Sequence, residues 1–347
     1  MKIALIGPGI ISIPPPGWGA VEVLIWDYYT ELTQLGHEVK IINKMRQHSS
    51  DQAYTLTPYC QDLIKEINEG NYDFVHLHYD CLYHILPYLT AKKVGITSHY
   101  PYIDNEQKHR SDGFTPIFNF LGQNNRFLNF MLAQKDIDFL IKKGANPNYI
   151  FLLENGIDSN AFKCQINIAV EEELINKTIY LGQVNERKGQ HKYCHLQNID
   201  IVGPDGNNNS NSNSNNIANY KGSWTRNEVQ HKLTTYGNLL LLSKGEADPL
   251  VVKEALMCGL GVVVNATSAK NLILDTSASA SASASASAND FITIIADDKM
   301  DDLPYIQTKI NENRRISIMS RRRIREYAED NFGWNVFIEK YVMNINI

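Results

Sequence analysis

The chain has 347 residues, long for a single core, so two domains are expected. Hydrophobic residues make up 43% and charged residues 20%, the composition of a soluble globular protein, and no apolar run approaches the ~20 residues of a membrane span. A net charge of -5 gives no reason to expect a nucleic-acid partner, which favours a basic surface.

The N-terminal "MKIALIGPGII" is a strand that opens into a Gly/Pro loop. It lacks the long apolar core and small-residue cleavage site of a signal peptide, so a cytoplasmic location is expected. The five cysteines, Cys60, Cys81, Cys164, Cys194 and Cys258, are scattered and never spaced C-x-x-C. That pattern fits a reducing compartment and argues against structural zinc.

Residues 2–6 form a short apolar strand. A helix over 20–35 follows, with Val21, Leu24, Ile25, Tyr28, Leu32 and Leu35 at spacings of three and four, and Gly36 stops it. Strands are expected at 38–42, 73–77, 94–98, 127–133 and 149–153. The pattern restarts with strands at 178–184 and 199–203, then a helix opened by a capping box from Thr225 to Glu228. Strands at 238–243 and 261–265 flank a further helix, and the stretch 301–343 is helical. Alternating strands and helices imply parallel sheets covered by helices. Two α/β halves with a joint near 154–170 result. The tracts at 206–216 and 276–288, rich in Asn/Ser and Ser/Ala, read as mobile loops with no catalytic role.

The stretch "SKGEADPLVVKEALMCGLGVVV" (243–264) holds two glutamates eight positions apart. Asp248 reads as an N-cap, Pro249 as the first helical residue, and Gly259 as the stop. Glu246 then lies in the turn at the carboxyl edge of a parallel sheet, where open α/β folds bind ligands. Glu254 lies inside the helix. Two such carboxylates can accept from two sets of hydroxyls while the helix N-terminus favours an anion between them. Spacing alone favours a plainer reading, an exposed glutamate on each of two surface turns.

The company of this stretch reverses that weight. "ENGIDSNAF" (154–162), "YLGQVNERKG" (180–189), "YKGSW" (220–224) and the two-glutamate motif occur in that order. With "PPPGWGAVEVL" near the start and "EDNFGWNVFIEKY" (329–341) near the end, they resemble the family 4 retaining glycosyltransferases over most of the chain. The resemblance implies the GT-B fold, two Rossmann-like domains whose parallel sheets face each other across a cleft. It implies an acceptor domain at 1–153, a nucleotide-sugar donor domain at 154–331, and a helix at 332–347 returning to the first domain.

The resemblance also implies roles. Glu254 matches the glutamate that binds the nucleotide ribose, and Glu246 the one that contacts the donor sugar. Lys188 matches the cation facing the donor diphosphate, a role Arg187 can share. Gly17 and Gly19 lie in the first loop, where backbone can approach phosphate closely. His99 matches a histidine near the transferred sugar. Lys188, Glu246 and His99 are thus the expected catalytic residues. Gly17, Gly19, Arg187, Lys188, Glu246 and Glu254 are the expected donor-binding residues. Departures stand beside these matches: Gln183 replaces a family arginine, Ala20 a second loop glycine, and Ala247-Asp248-Pro249 the usual Gly-Phe-Gly.

The implied activity is retaining transfer of a sugar from a nucleotide-diphosphate sugar to a hydroxyl acceptor, with no metal and no other cofactor. The alternative is a non-catalytic sugar-nucleotide-binding or assembly subunit with the same fold. A dinucleotide oxidoreductase is excluded because Pro14, Pro15 and Pro16 bar a helix directly after the first glycines, and Asn43 stands where a ribose-binding acid belongs. His76 and His78 read as structural. The aromatics of 100–130 either touch an acceptor or pack. The run "RRRIRE" (321–326) reads as a solvated helix face, with contact to an anionic membrane surface as its second reading. Donor base, sugar, acceptor and oligomeric state are not encoded in any motif.

Overall fold

The computed structural model describes residues 1–48, 56–164, 172–206, 217–272 and 290–346. Both low-complexity tracts, apart from Gly206, lie outside these residues, as does part of the expected joint. The chain divides into two compact units. Unit 1 comprises Met1–Gly156 with Trp334–Ile347, and unit 2 comprises Ile157–Gly333.

Unit 1 runs β1 (Lys2–Ile6), α1 (Ala20–Gln34), β2 (Glu38–Ile42), α2 (Pro58–Glu69), β3 (Phe74–Leu77), a 3-10 stretch (Asp80–Tyr88), β4 (Lys93–Thr97), α3 (Glu106–Ser111), α4 (Thr115–Gly122), β5 (Leu128–Met131), α5 (Gln134–Lys142) and β6 (Ile150–Leu152). Unit 2 runs α6 (Glu172–Ile175), β7 (Thr178–Leu181), α7 (Gln190–Tyr193), β8 (Ile199–Val202), α8 (Arg226–Lys232), β9 (Asn238–Leu241), α9 (Leu250–Met257), β10 (Gly261–Asn265), β11 (Ile292–Ile295) and α10 (Leu303–Phe332). Helix α11 (Trp334–Asn346) closes the chain and belongs to unit 1.

Both sheets are parallel throughout. The first has the order β2-β1-β3-β4-β5-β6, the second β8-β7-β9-β10-β11. Counted within its own unit, each follows the doubly wound order 2-1-3-4-5, with one more strand in unit 1. The order reverses between β1 and β3 in unit 1 and between β7 and β9 in unit 2. In open α/β sheets of this order, that reversal is the place where ligands bind, outside the carboxyl ends of the strands. Strands β3, β5, β7, β8 and β9 are buried on both faces, which is why they read as continuous apolar runs.

Several elements differ from the sequence expectation. Helix α2 forms because Thr57 caps it, accepting from the Cys60 amide at 3.3 Å, and Pro58 starts it. The helical stretch expected over 301–343 is two helices, divided where Gly333 takes an extended conformation, close to the start expected at 332 for the closing helix. The run 321–326 is solvated only in part, with Arg322 and Glu326 exposed and Arg321 turned inward. Arg321 is buried and donates to the carbonyls of Thr234 and Tyr236, the former at 2.7 Å. Arg325 donates to the carbonyls of Met257 and Ser159, each at 2.6 Å, and of Phe162. These guanidiniums satisfy carbonyls that helix and turn ends leave open. The aromatics of 100–130 pack: Tyr100 stacks on Phe114 at 4.2 Å, and Phe118 and Phe127 are buried in the core of unit 1.

Candidate functional site

In unit 2 the loops leaving β7 and β9, the two strands flanking the order reversal, are tied together. The Lys244 amide donates to the Arg187 carbonyl at 2.9 Å, and the Arg187 guanidinium donates to the Gly245 carbonyl. Tyr180, buried at the end of β7, donates to the Lys188 carbonyl and accepts from the Leu242 amide at 3.2 Å. The Lys188 amide is held by Asn185 Oδ1 at 3.0 Å. Two short loops from strands that begin 60 residues apart in sequence therefore present one joint surface.

That surface gathers charge. Glu246 Oε1 lies 2.8 Å from Arg187 and 3.0 Å from Lys188 Nζ. Lys270 Nζ donates to the Glu246 backbone carbonyl. Lys188 and Glu246 are 8% and 7% exposed, so this is a desolvated cluster. Burial pushes the Glu246 carboxyl up, but Lys188 and Arg187 outweigh burial and hold it below its ordinary value. Glu246 is thus an ionised hydrogen-bond acceptor and not a proton donor at neutral pH. Two cations thus meet one carboxylate, and a third meets the backbone carbonyl of the same residue. The net positive charge of these four side chains is what an anion would meet.

Gly182 makes room for Lys188. Its φ is +148°, and a Cβ there would stand 3.2 Å from Lys188 Cδ, Cε and Nζ. A side chain at position 182 would be strained and would press on the ammonium.

Glu254 lies in α9 and is buried. Its Oε1 is paired with the Arg226 guanidinium, which in turn sits 4.9 Å from the centre of the Phe162 ring. The expected cap on α9 is corrected. Pro249 occupies the cap position and the helix begins at Leu250. Asp248 instead forms a buried ion pair with Lys253 at 2.8 Å, and Lys253 lies over the Phe332 ring at 5.2 Å. An aspartate before a proline resembles a cap in sequence. Here a lysine five residues on, equally buried, takes the carboxylate.

The structure thus brings together Arg187, Lys188 and Glu246, with Glu254 in the same unit. Gly17, Gly19 and His99 belong to unit 1. Gly19 has φ +131° at the start of α1, and a Cβ there would meet Ile11 Cδ1 at 2.5 Å and Glu22 Oε2 at 2.8 Å. The positive φ, more than this contact with two flexible side-chain ends, favours glycine. His99 follows β4, and burial lowers it to about 4, so the ring is neutral at pH 7. His76 accepts or donates at both nitrogens, to Tyr341 and Thr97 hydroxyls at 2.8 Å each, as a structural histidine does. His78 is as deeply buried, yet neither ring nitrogen has a hydrogen-bond partner. Sequence reasoning missed Arg226, Lys270 and the Asp80–Ser98 pair. Arg226 carried one signal, its place directly after the capping-box Thr225.

Among the described residues no group of three or more His, Cys, Asp or Glu is placed to hold a metal ion, and no helix is long and apolar enough to cross a membrane. No family model and no curated protein matches the chain. Solved structures do. Anabaena HepE, in complex with UDP and glucose, matches at 15% identity and a TM-score of 0.70, covering 100% of this chain and 99% of that one. Sucrose-phosphate synthase from Thermosynechococcus elongatus matches at 13% identity and a TM-score of 0.72, covering 99% and 97%. WaaG, a glycosyltransferase involved in lipopolysaccharide biosynthesis, matches at 17% identity and a TM-score of 0.65, covering 98% of both chains. With its two parallel sheets of Rossmann-like order, the chain has the GT-B fold of these glycosyltransferases.

Proposed function

We propose that the chain is a nucleotide-sugar-dependent glycosyltransferase that transfers its sugar to a hydroxyl with retention of anomeric configuration. The observation that carries this reading is the buried Lys188–Glu246 pair, flanked by the half-buried Arg187 and Lys270 and placed where the strand order of unit 2 reverses. Burying an ion pair is expensive, and such arrangements concentrate at functional sites. A diphosphate offers negative charge to match the cations, and the hydroxyls of its sugar offer donors to Glu246. The complex of HepE with UDP and glucose gives the reading support from a protein of the same fold.

Each residue has a part. As the bond to the sugar breaks, the diphosphate gains negative charge, and Lys188 and Arg187 stabilise that charge more in the transition state than before it. Glu246, kept ionised, accepts from sugar hydroxyls and holds the two cations in place. Glu254 binds the ribose hydroxyls. His99, neutral, donates or accepts one hydrogen bond at the transferred sugar. No side chain is assigned as a covalent nucleophile, and no metal is assigned a step. Gly17 and Gly19 are assigned to close backbone approach in unit 1, the acceptor unit in this reading.

A screen of nucleotide sugars by thermal shift, followed by hydrolysis and transfer assays on each hit, tests the proposal. A stabilising donor that is also turned over supports it. Stabilisation without turnover supports the non-catalytic subunit, the reading that Gln183 favours by leaving one fewer cation at the site. Failure of every nucleotide sugar and nucleoside diphosphate to bind would overturn both.

A further inference from the structure

We infer that Arg226 is a positioning residue for ribose recognition: it holds Glu254 in register and so sets a preference for ribonucleotide over 2′-deoxyribonucleotide donors. This rests on the assignment of Glu254 to the ribose.

Glu254 is buried, and a buried carboxylate without a partner is costly. Arg226 supplies that partner from another element, 28 residues away in sequence. The contact runs from one guanidinium nitrogen to Oε1, which leaves Oε2 to accept from a ligand hydroxyl.

The guanidinium is itself fixed from two sides. Arg226 is the first residue of α8, whose start is locked by a complete capping box. The Glu228 amide donates to Thr225 Oγ1 at 3.2 Å, and the Thr225 amide donates to Glu228 Oε2 at 2.9 Å. Lys232 pins Glu228 at 2.7 Å. Beneath the guanidinium lies the face of Phe162, fully buried, whose carbonyl accepts from Arg325. A planar, always-charged group stacked on an aromatic face keeps its orientation better than a lysine ammonium would. The line from Arg325 through Phe162 and Arg226 to Glu254 therefore ends on one carboxylate of fixed direction. A site built to accept from a hydroxyl discriminates strongly against an analogue lacking it.

The test compares uridine, guanosine and adenosine diphosphates with their 2′-deoxy counterparts by calorimetric titration. The parent is expected to bind one ribonucleotide at least about tenfold more tightly than its deoxy analogue, about 1.4 kcal/mol. Arg226→Ala is expected to bring that ratio to within about twofold by weakening the ribonucleotide alone, as Glu254→Gln does. Arg226→Lys should recover part of the ratio. In a Glu254→Gln background, Arg226→Ala should change the ratio no further, because Arg226 acts only through Glu254.

A parental ratio retained in Arg226→Ala, or an equal loss in both backgrounds, overturns the inference and leaves nucleotide binding intact. If Arg226→Ala does not fold, the double variant, which leaves no unpaired charge, is compared with Glu254→Gln; unequal ratios overturn the inference. A parent that binds no nucleoside diphosphate defeats the donor reading itself, and this inference with it.

Discussion

Two buried carboxyls, one in each unit, sit at the carboxyl edges of sheets with the same strand order and meet opposite fates. Burial pushes both upward. At Glu246 in unit 2, Lys188 and Arg187 more than cancel burial, and the group is held below its ordinary 4.5. At Asp80 in unit 1, just after β3, the nearest help is a hydrogen bond from Ser98 at 2.6 Å, and the carboxyl is raised to about 6. The histidines beside it, His76, His78 and His99, are all depressed by burial and therefore neutral. One topology thus supports an edge rich in cations in unit 2 and, in unit 1, an edge of neutral histidines with a single acid that gives up its proton only as pH rises through about 6. Backbone architecture supplies the crevice; the neighbours of each acid decide what it can bind.

The comparison breaks first at Lys188. Lys188→Ala should lower turnover by roughly 10²-fold or more, the scale of losing one preorganised electrostatic contact. Lys188→Gln should be nearly as poor, and donor affinity should fall less than turnover in both. Steady-state kinetics with direct donor titration decides it: unchanged turnover would move the charge argument to Arg187.

Next in size are the buried polar groups that hold each unit together. Arg321→Ala strands the carbonyls of Thr234 and Tyr236 in unit 2, and about 3 kcal/mol of stability should be lost. Tyr341→Phe in unit 1 removes one hydroxyl from His76 Nδ1 and should cost about 1 kcal/mol. Denaturant melts of the two variants give the ratio, and equal losses would erase this difference between the units.

The two acids also predict opposite pH slopes. Glu246, depressed, stabilises the fold above about pH 4.5, and that contribution is lost as pH falls through its folded value. Asp80, raised, binds its proton more tightly when folded. Its contribution is complete below its unfolded value of 3.8 and is lost as pH rises through about 6. Asp80→Asn should therefore raise the melting temperature at pH 8, with the gain narrowing through pH 6 and gone by pH 4. A gain independent of pH would place the cause in packing. The smallest effect belongs to His78→Leu. Replacing an unpartnered buried ring should leave the melting temperature unchanged or slightly higher, and a clear loss would mean that His78 has a polar partner.

How much of this is legible in the sequence follows from the range of the interactions. Strand–helix alternation, the Thr225–Glu228 capping box and the stop at Gly259 are local signals, and each appears where its residues suggest. The break at Gly333 is legible through the resemblance of 329–341 to a closing helix, since a glycine there can end one helix before the next begins. Strand β11 is not legible. It is four residues long, half-exposed, and follows a tract that carries no pattern. Asp248 reads as a cap because the competing Lys253 lies a helical turn beyond it. The pairing of Glu254 with Arg226 spans 28 residues and two elements, so no spacing rule reaches it. Local chemistry is readable, and charge partners brought together by folding are not.

The place of α11 sets an order in time. Tyr341, fully buried, closes over Tyr28, Phe74, His76 and Phe130 in the core of unit 1, although it is encoded long after that unit's last strand. During synthesis the first 156 residues leave the ribosome well before Trp334–Asn346, and unit 2 is made in between. Domains ordinarily fold as they emerge, the N-terminal one first. Here His76 Nδ1 and the face of Tyr28 lack the covering ring of Tyr341 until α11 is made. A chain truncated after Gly333 and released should therefore show unit 2 resistant to protease while unit 1 is still cleaved.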